Sequence, residues 1–252
     1  MSEVVFIGAG PGDPELITVK GLKAIQAADV IIYAGSLVNP DVLAERKADA
    51  VVFDSASMTL DEVIEVMKGA IATGRSVARV HTGDPSIYGA IREQIDRLDE
   101  MGISNRVIPG VSSFVASASV LRREFTLPDV TQTVICTRME GRTPVPERES
   151  LESLASHQAS MAIFLSVHMI GDVAARLKKH YPGNTPVAVV EKATWPDQRF
   201  VVATLDTIEE KVKEMGIRKT AQILVGRFLG DEYSLSKLYD PGFTHEYRSA
   251  SK

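Results

Sequence analysis

Short apolar runs alternate with helically spaced residues through the first 120 positions of this 252-residue chain. Five runs have the length and the aliphatic composition of buried strands. They lie at residues 4–7, 29–33, 50–53, 76–81 and 106–108. Between them apolar residues recur at helical spacing, and Thr59 with Glu62 forms a capping-box pattern. This alternation predicts an α/β fold with a mostly parallel sheet covered by helices on both faces.

Residues 76–89 (SVARVHTGDPSIYG) combine a strand with a sharp turn. The strand is predicted to end near His81, and Asp84 followed by Pro85 is typical of a capped helix start. We therefore predict a helix through Ile87, Ile91 and Ile95. A second Gly-Asp-Pro turn follows the first strand at residues 12–14. Since ligands bind at the carboxyl ends of parallel strands, the two turns predict one shared crevice.

The second half departs from this alternation. After a linker near residues 122–128, strands are predicted at 133–137, 162–165 and 221–226, and a strand pair flanks the loop 192–199. The strands of this half are therefore connected by hairpins as well as by helices, which predicts a mixed sheet. We expect two α/β domains, residues 1–121 and 122–252.

The composition limits the classes of molecule that this chain is expected to bind. The net charge is −5 without a basic run, which argues against nucleic-acid binding. The single cysteine, Cys136, excludes an internal disulfide and lies in an apolar strand, where a core position is expected. There is neither a signal-peptide pattern nor an apolar run of about 20 residues. The expectation is a cytoplasmic protein that handles small molecules, without a membrane partner.

The stretch at residues 8–13 (GAGPGD) resembles a dinucleotide fingerprint, but its chemistry opposes that interpretation. Asp13 occupies the position where a helix would receive a pyrophosphate, and Pro11 removes a backbone donor. Asp84 raises the same objection in the second turn. Two carboxylate-bearing turns favour a cofactor that lacks phosphates or carries positive charge. The alternative is that both aspartates are only helix caps.

Candidates for acid–base or metal chemistry are few. The histidines show no metal-ligand spacing, so no metal site is predicted, and His168 and His180 are expected at the surface. His81 adjoins the Gly-Asp turn, where a structural role is favoured over proton transfer. Few acids and bases suggest an enzyme that works mainly by aligning two reactants.

The loop at residues 137–146 (TRMEGRTPVP) carries Arg138 and Arg142 beside proline and glycine. Arginine pairs bidentately with carboxylates, so the loop suits a substrate with several carboxylates. A solvated surface hairpin is the alternative.

Five motifs, in order over residues 4–229, resemble those of the tetrapyrrole methylases. They are residues 8–13, 82–85 (TGDP), 109–113 (PGVSS), 186–194 (PVAVVEKAT) and 223–227 (ILVGR). Within the family, residues 33–38 (YAGSLV) and the loop 137–146 look most like members that methylate C11 of precorrin-4 in cobalamin biosynthesis. The resemblance implies a two-domain homodimer that binds S-adenosylmethionine between its domains, releases S-adenosylhomocysteine and methylates a tetrapyrrole ring carbon.

The resemblance also implies site residues. Those expected to contact the cofactor are Pro11, Thr82, Gly83, Asp84, Ile87, Ser112, Ser113, Leu165, Ser166, Ala193, Thr220 and Ala221. Related uroporphyrinogen methylases have methionine where this chain has Ser166, so Leu165 is the alternative contact there. Residues expected to bind substrate are Tyr33, Ser36, Arg138, Glu140 and Arg142. Tyr33 and His81 are expected to line the substrate trough and are the candidate catalytic residues.

Four alternatives stay open. The same carbon on cobalt-precorrin-4 is the nearest, followed by another corrin-ring methylation. A nucleotide-dependent dehydrogenase is disfavoured by Asp13. A sensor that binds S-adenosylmethionine without chemistry would show tight binding and no methyl transfer.

Overall fold

The computed structural model describes residues 2–251, and its contacts group them into two units. The first unit extends to Ala116 and includes Lys192–Gln198. The second unit comprises Ser117–Glu191 and continues from Arg199. The division into domains at residues 121 and 122 stays a prediction.

The sheet of the first unit has five parallel strands in the order β3-β2-β4-β1-β5. The strands are β1 (Val4–Gly8), β2 (Val30–Tyr33), β3 (Val51–Asp54), β4 (Val77–His81) and β5 (Asn105–Ile108). The helices are α1 (Val19–Ala27), α2 (Leu60–Ala72), α3 (Arg92–Glu100) and α4 (Ser113–Leu121), of which α4 extends into the second unit. This arrangement confirms the predicted parallel sheet.

The central strands are buried on both faces because helices and turns cover each side. β1 and β4 are buried at every position, whereas β3 lies at an edge and is largely exposed. One core gathers Val5, Ile7 and Val80, and the core on the other face gathers Phe6 and Val77. α2 starts with the predicted capping box of Thr59 and Glu62, which satisfies amides that the first turn leaves unpaired.

The second unit has a mixed five-stranded sheet in the order β6-β7-β10-β8-β9. Only β6 and β7 are parallel, and the other pairs are antiparallel. The strands are β6 (Val134–Arg138), β7 (Ser160–Phe164), β8 (Pro186–Glu191), β9 (Arg199–Thr204) and β10 (Ala221–Val225). The helices are α5 (Leu151–Ala155), α6 (Ile170–Leu177) and α7 (Ile208–Glu214). The predicted mixed sheet and the strand pair around the loop are confirmed.

Two local predictions are wrong. The helix expected at Pro85 begins only at Arg92, because Tyr88 and Ala90 adopt left-handed φ values of 56° and 49° that interrupt it. Cys136 lies on a strand as expected, yet it is exposed rather than in the core. β6 is an edge strand, and side chains alternate along it. Ile135 packs against the core, so Cys136 lies on the opposite face of the sheet. Between β2 and β3 the chain forms a 3₁₀ turn, Pro40–Leu43.

Among residues 2–251, no helix combines the length and the apolar character needed to span a bilayer.

Candidate functional site

Three turns meet at the carboxyl ends of β1, β4 and β5. The amide of Gly83 donates to the Gly10 carbonyl at 2.8 Å, and the amide of Gly10 donates to the Gly83 carbonyl at 3.3 Å. The turn that follows β1 is therefore bonded directly to the Gly83-Asp84-Pro85 turn. Gly10 and Gly83 have φ values of 79° and 60°, which glycine adopts without steric cost.

The third turn follows β5 and contains Gly110. Its backbone lies too close to Gly8 and Gly83 to leave room for a side chain on Gly8 or Gly110. A Cβ on Gly8 would lie 2.6 Å from the Gly110 Cα and 2.7 Å from the Gly83 carbonyl oxygen. A Cβ on Gly83 would reach the Ser112 Cα at 3.5 Å and the Ser113 nitrogen at 3.6 Å. The structure thus brings the predicted residues Thr82, Gly83, Asp84, Ser112 and Ser113 into one junction of backbone.

Asp84 ties this junction together. Its carboxylate accepts from the Gly110 amide at 2.9 Å and from the Ser86 amide at 2.9 Å. Partial burial opposes its charge, but the bonds from Ser86 and Gly110 outweigh burial and lower the pKa of Asp84. Asp13 similarly caps its own turn, accepting from the Glu15 amide at 2.9 Å. Asp13 therefore caps the 3₁₀ turn Pro14–Leu16, whereas no helix follows Asp84 directly, so Asp84 closes its own turn and holds the Gly110 amide.

The turn after β1 offers few donors to a phosphate. The Gly10 amide bonds to Gly83, the Asp13 amide to Thr194 Oγ1 at 3.0 Å, and the Glu15 amide to Asp13. Pro11 and Pro14 have no amide hydrogen. A pyrophosphate needs such amides at a helix N-terminus. The turn after β1 therefore presents few free amides of the kind that hold a pyrophosphate.

The segment Lys192–Gln198, which joins β8 to β9, lies on this turn and belongs to the first unit. The indole Nε1 of Trp195 donates to the Pro11 carbonyl at 2.9 Å. From elsewhere in the unit, Asn39 Nδ2 donates to the Gly12 carbonyl at 2.9 Å. The predicted contact Ala193 is thereby in the same unit as Pro11. Sequence reasoning missed Trp195 and Asn39.

His81 is 5% exposed, and within the described range 2–251 its Nε2 has no hydrogen-bond partner. Burial, together with the positive charge of Arg79, lowers the pKa of His81 to about 3. Arg79 is itself buried, and it donates to Gln94 Oε1 at 3.2 Å and to Ser55 Oγ at 3.0 Å. His81 is therefore neutral at physiological pH and is a poor general base there.

Tyr33 and His81 lie on opposite faces of the sheet. Tyr33 pairs in register with Val80, and side chains alternate along a strand, so Tyr33 shares the face of Val80 and not that of His81. Tyr33 packs against the core of Val80, whereas the His81 ring lies 6.1 Å from that of Phe6 in the other core. The structure does not bring these two candidates to one surface. Ser36 is exposed and lies close after Tyr33 in the chain.

In the second unit, four residues predicted to contact the cofactor lie where β7 ends and β10 begins: Leu165, Ser166, Thr220 and Ala221. The register of β10 with β7 places the start of β10 beside the end of β7. Leu165 is 63% exposed, and Leu165 and Thr220 have left-handed φ values of 56° and 51°. Such strain in branched residues is characteristic of functional sites. Ser166 is fully buried, and its hydroxyl accepts from the Met139 amide and donates to the Phe164 carbonyl.

The arginine-bearing loop has a defined internal structure. Arg138 donates to the carbonyls of Thr143 at 3.2 Å and Pro144 at 2.7 Å, so its guanidinium holds the loop. Glu140 pairs with Arg176. Arg142 is exposed and lines a hollow of about 460 Å³.

Comparison with known proteins decides the family. Residues 3–209 match the model of the Tetrapyrrole (Corrin/Porphyrin) Methylases. The chain belongs to this family. It is 57% identical over 252 residues to a cobalt-precorrin-4 C(11)-methyltransferase of Methanocaldococcus jannaschii, covering 99% of this chain and 97% of that protein. It is also 48% identical to a precorrin-4 C(11)-methyltransferase of Pseudomonas aeruginosa, covering 97% and 98%.

Solved structures of tetrapyrrole methylases share the fold. A cobalt precorrin-4 methyltransferase matches with a TM-score of 0.89 and 47% identity, covering 91% of this chain and 96% of that one. A uroporphyrin-III C-methyltransferase from Thermus thermophilus, complexed with S-adenosylhomocysteine, matches with a TM-score of 0.75 and 25% identity, covering 90% and 93%. This tetrapyrrole methylase is therefore a methyltransferase, and the dehydrogenase alternative is discarded.

Proposed function

We propose that this methylase transfers a methyl group from S-adenosylmethionine to C11 of the precorrin-4 macrocycle in cobalamin biosynthesis. The observation that carries the proposal is identity of 57% and 48%, over nearly the whole chain, to two enzymes named for that reaction. The cobalt-bearing macrocycle is the first choice of substrate, because the 57% relative carries cobalt in its name.

The first unit suits the proposed cofactor. S-adenosylmethionine has no phosphate, so it does not need the amides that Gly10, Asp13 and Glu15 have committed elsewhere. Its sulfonium is positive and is compatible with the ionised Asp84, whose pKa is lowered. When bound, the cofactor supplies a methyl group to a nucleophilic ring carbon.

We assign the cofactor contacts to the residues implied by the resemblance. In the first unit these are Pro11, Thr82, Gly83, Asp84, Ile87, Ser112, Ser113 and Ala193; in the second they are Leu165, Ser166, Thr220 and Ala221. The exposed side chain of Leu165 supports a direct contact. The hydroxyl of Ser166 has both of its partners inside the protein, which leaves its backbone for the contact.

The residues of the site bind and orient rather than transfer protons. His81 is neutral, and Asp84 is committed to the Ser86 and Gly110 amides. Holding two reactants in line lowers a bimolecular barrier without an acid or a base. The scarcity of titratable groups in the junction fits a displacement at a methyl carbon.

We propose that Arg142 binds a substrate carboxylate, that Glu140 belongs to the same substrate-binding loop of the second unit, and that Tyr33 and Ser36 bind substrate in the first unit. Arg142 is exposed, whereas Arg138 shapes the loop that presents it. Arg142→Ala is expected to raise the substrate KM while the Kd of S-adenosylmethionine stays unchanged. Arg148→Ala is the matched control, since Arg148 is exposed just beyond the loop 137–146 and lies outside the proposed site. An unchanged substrate KM in Arg142→Ala would remove this assignment.

The experiment that tests the function uses precorrin-4 and cobalt-precorrin-4 in parallel, each with a methyl-labelled donor. Label at C11 in either product supports the proposal, and the ratio of kcat/KM values decides the metal state. Binding of the donor without label in either macrocycle would favour a sensor instead.

We further propose a homodimer, as the resemblance implies. Exposed apolar side chains support it, among them Phe200 and Val202 on the edge strand β9, which are 47% and 51% exposed. Light scattering coupled to gel filtration measures the mass directly, and a monomer at micromolar concentration would contradict this assignment.

A further inference from the structure

The segment Lys192–Gln198 is held by contacts within itself and contacts the turn at residues 11–13. Lys192 and Thr194 have left-handed φ values of 49° and 71°. Such conformations in residues other than glycine cost about 1–3 kcal/mol each and persist only where surrounding contacts impose them. Here the Thr194 amide donates to Gln198 Oε1 at 2.7 Å, and Lys192 forms an ion pair with Asp197.

Trp195 presents its indole to the turn at van der Waals contact. A Cβ on Gly12 would lie 2.8 Å from the Trp195 Cγ, closer than real Cβ atoms approach. Gly12 is therefore glycine because the indole covers it. Its φ lies outside the positive range, so no unusual backbone conformation demands glycine there.

Polar contacts fix three consecutive residues of the turn. The Trp195 Nε1 donates to Pro11, Asn39 donates to Gly12, and Asp13 donates to Thr194. The carbonyl of Pro11 and that of Gly12 are thus held by side chains from separate segments of the unit.

We infer that Trp195 is a positioning residue for the methyl donor, acting through the Pro11–Gly12 turn. This inference rests on the proposed function, in which Pro11 and Ala193 contact S-adenosylmethionine. Trp195 itself holds the turn in the conformation that accepts the cofactor, so its loss affects the cofactor and leaves the macrocycle site unchanged.

The test is Trp195→Phe, which keeps an aromatic ring and removes the Nε1 donor. Losing one hydrogen bond is expected to raise the Kd and the KM of S-adenosylmethionine roughly three- to tenfold. The substrate KM should stay at the wild-type value. Trp195→Ala, which also uncovers Gly12, should raise the cofactor Kd further.

A second variant separates positioning from general destabilisation. Ile64→Val shortens a fully buried side chain of α2 in the same unit and should lower stability without moving the cofactor Kd. Calorimetric titration of the wild type with S-adenosylmethionine comes first, because absence of binding would overturn the proposed function itself. If the wild type binds and Trp195→Phe binds equally tightly, or if Ile64→Val weakens binding to the same extent, only the role of Trp195 is overturned.

Discussion

Replacing Gly8 by alanine tests whether the three turns form one backbone junction. The added Cβ would lie 2.6 Å from both the Cα and the nitrogen of Gly110, and 2.7 Å from the carbonyl oxygen of Gly83. Carbon atoms in contact are normally about 3.5–4.0 Å apart. All three neighbours are backbone atoms, so a side-chain rotation cannot relieve the overlap, and the turns must move apart by about 1 Å.

Forced repacking of this kind costs typically about 1–3 kcal/mol and occasionally more. Since only backbone can yield, we expect Gly8→Ala to lower the free energy of unfolding by about 3 kcal/mol. The corresponding fall in Tm is about 6–12 °C for a chain of this size. Separating Gly10 from Gly83 should also abolish measurable binding of S-adenosylmethionine.

Gly69→Ala is the matched control. Gly69 lies inside α2, and, apart from its own neighbours in the helix, an added Cβ would meet none of the atoms of residues 2–251 within 4 Å. The same chemical change should there raise stability by about 0.5–1 kcal/mol, because alanine favours helix. Urea denaturation and calorimetric titration measure both effects. If Gly8→Ala unfolds and binds like the wild type, the junction is not packed as described.

Three further predictions concern single side chains. The pKa of His81 is about 3 when folded and about 6.5 when unfolded, so charging it opposes folding and stability falls as pH drops from 6.5 towards 3. His81→Gln should reduce the dependence of the free energy of unfolding on pH by up to about 1.4 kcal/mol per pH unit. If urea melts between pH 3 and 6.5 give the same pH dependence for the variant and the wild type, His81 is not buried in its neutral form. Thr59→Ala removes the capping box of α2 and should cost about 1 kcal/mol in the same melts; a change below a few tenths would argue that the cap adds nothing. Cys136 is exposed, so a maleimide should label it in the folded protein, and labelling only in denaturant would place it in a core.

Local patterns predicted much of the first unit. Strand runs, the capping box at Thr59 and the two Gly-Asp-Pro turns depend on neighbouring residues, and each appears in the structure. The start of α3 could not be predicted, because the left-handed residues Tyr88 and Ala90 carry no sequence signal of their own. Cys136 was misplaced because an apolar run does not reveal whether its strand lies at an edge.

The contacts that hold the Pro11–Gly12 turn join residues that are far apart in the sequence. Trp195 and Pro11 are separated by 184 positions, and Thr194 and Asp13 by 181. No periodicity connects such positions, so only the fold reveals the pairing. The resemblance did point to Ala193 in the same segment, although it gave no reason for the glycine at position 12.

The most direct test of the central claim is incubation with cobalt-precorrin-4 and a donor carrying a ¹³C-labelled methyl group. The account predicts one labelled methyl per macrocycle, located at C11 by NMR, with S-adenosylhomocysteine as the second product. Label at another ring carbon, or an unchanged macrocycle from protein that is folded and binds the donor, would contradict it.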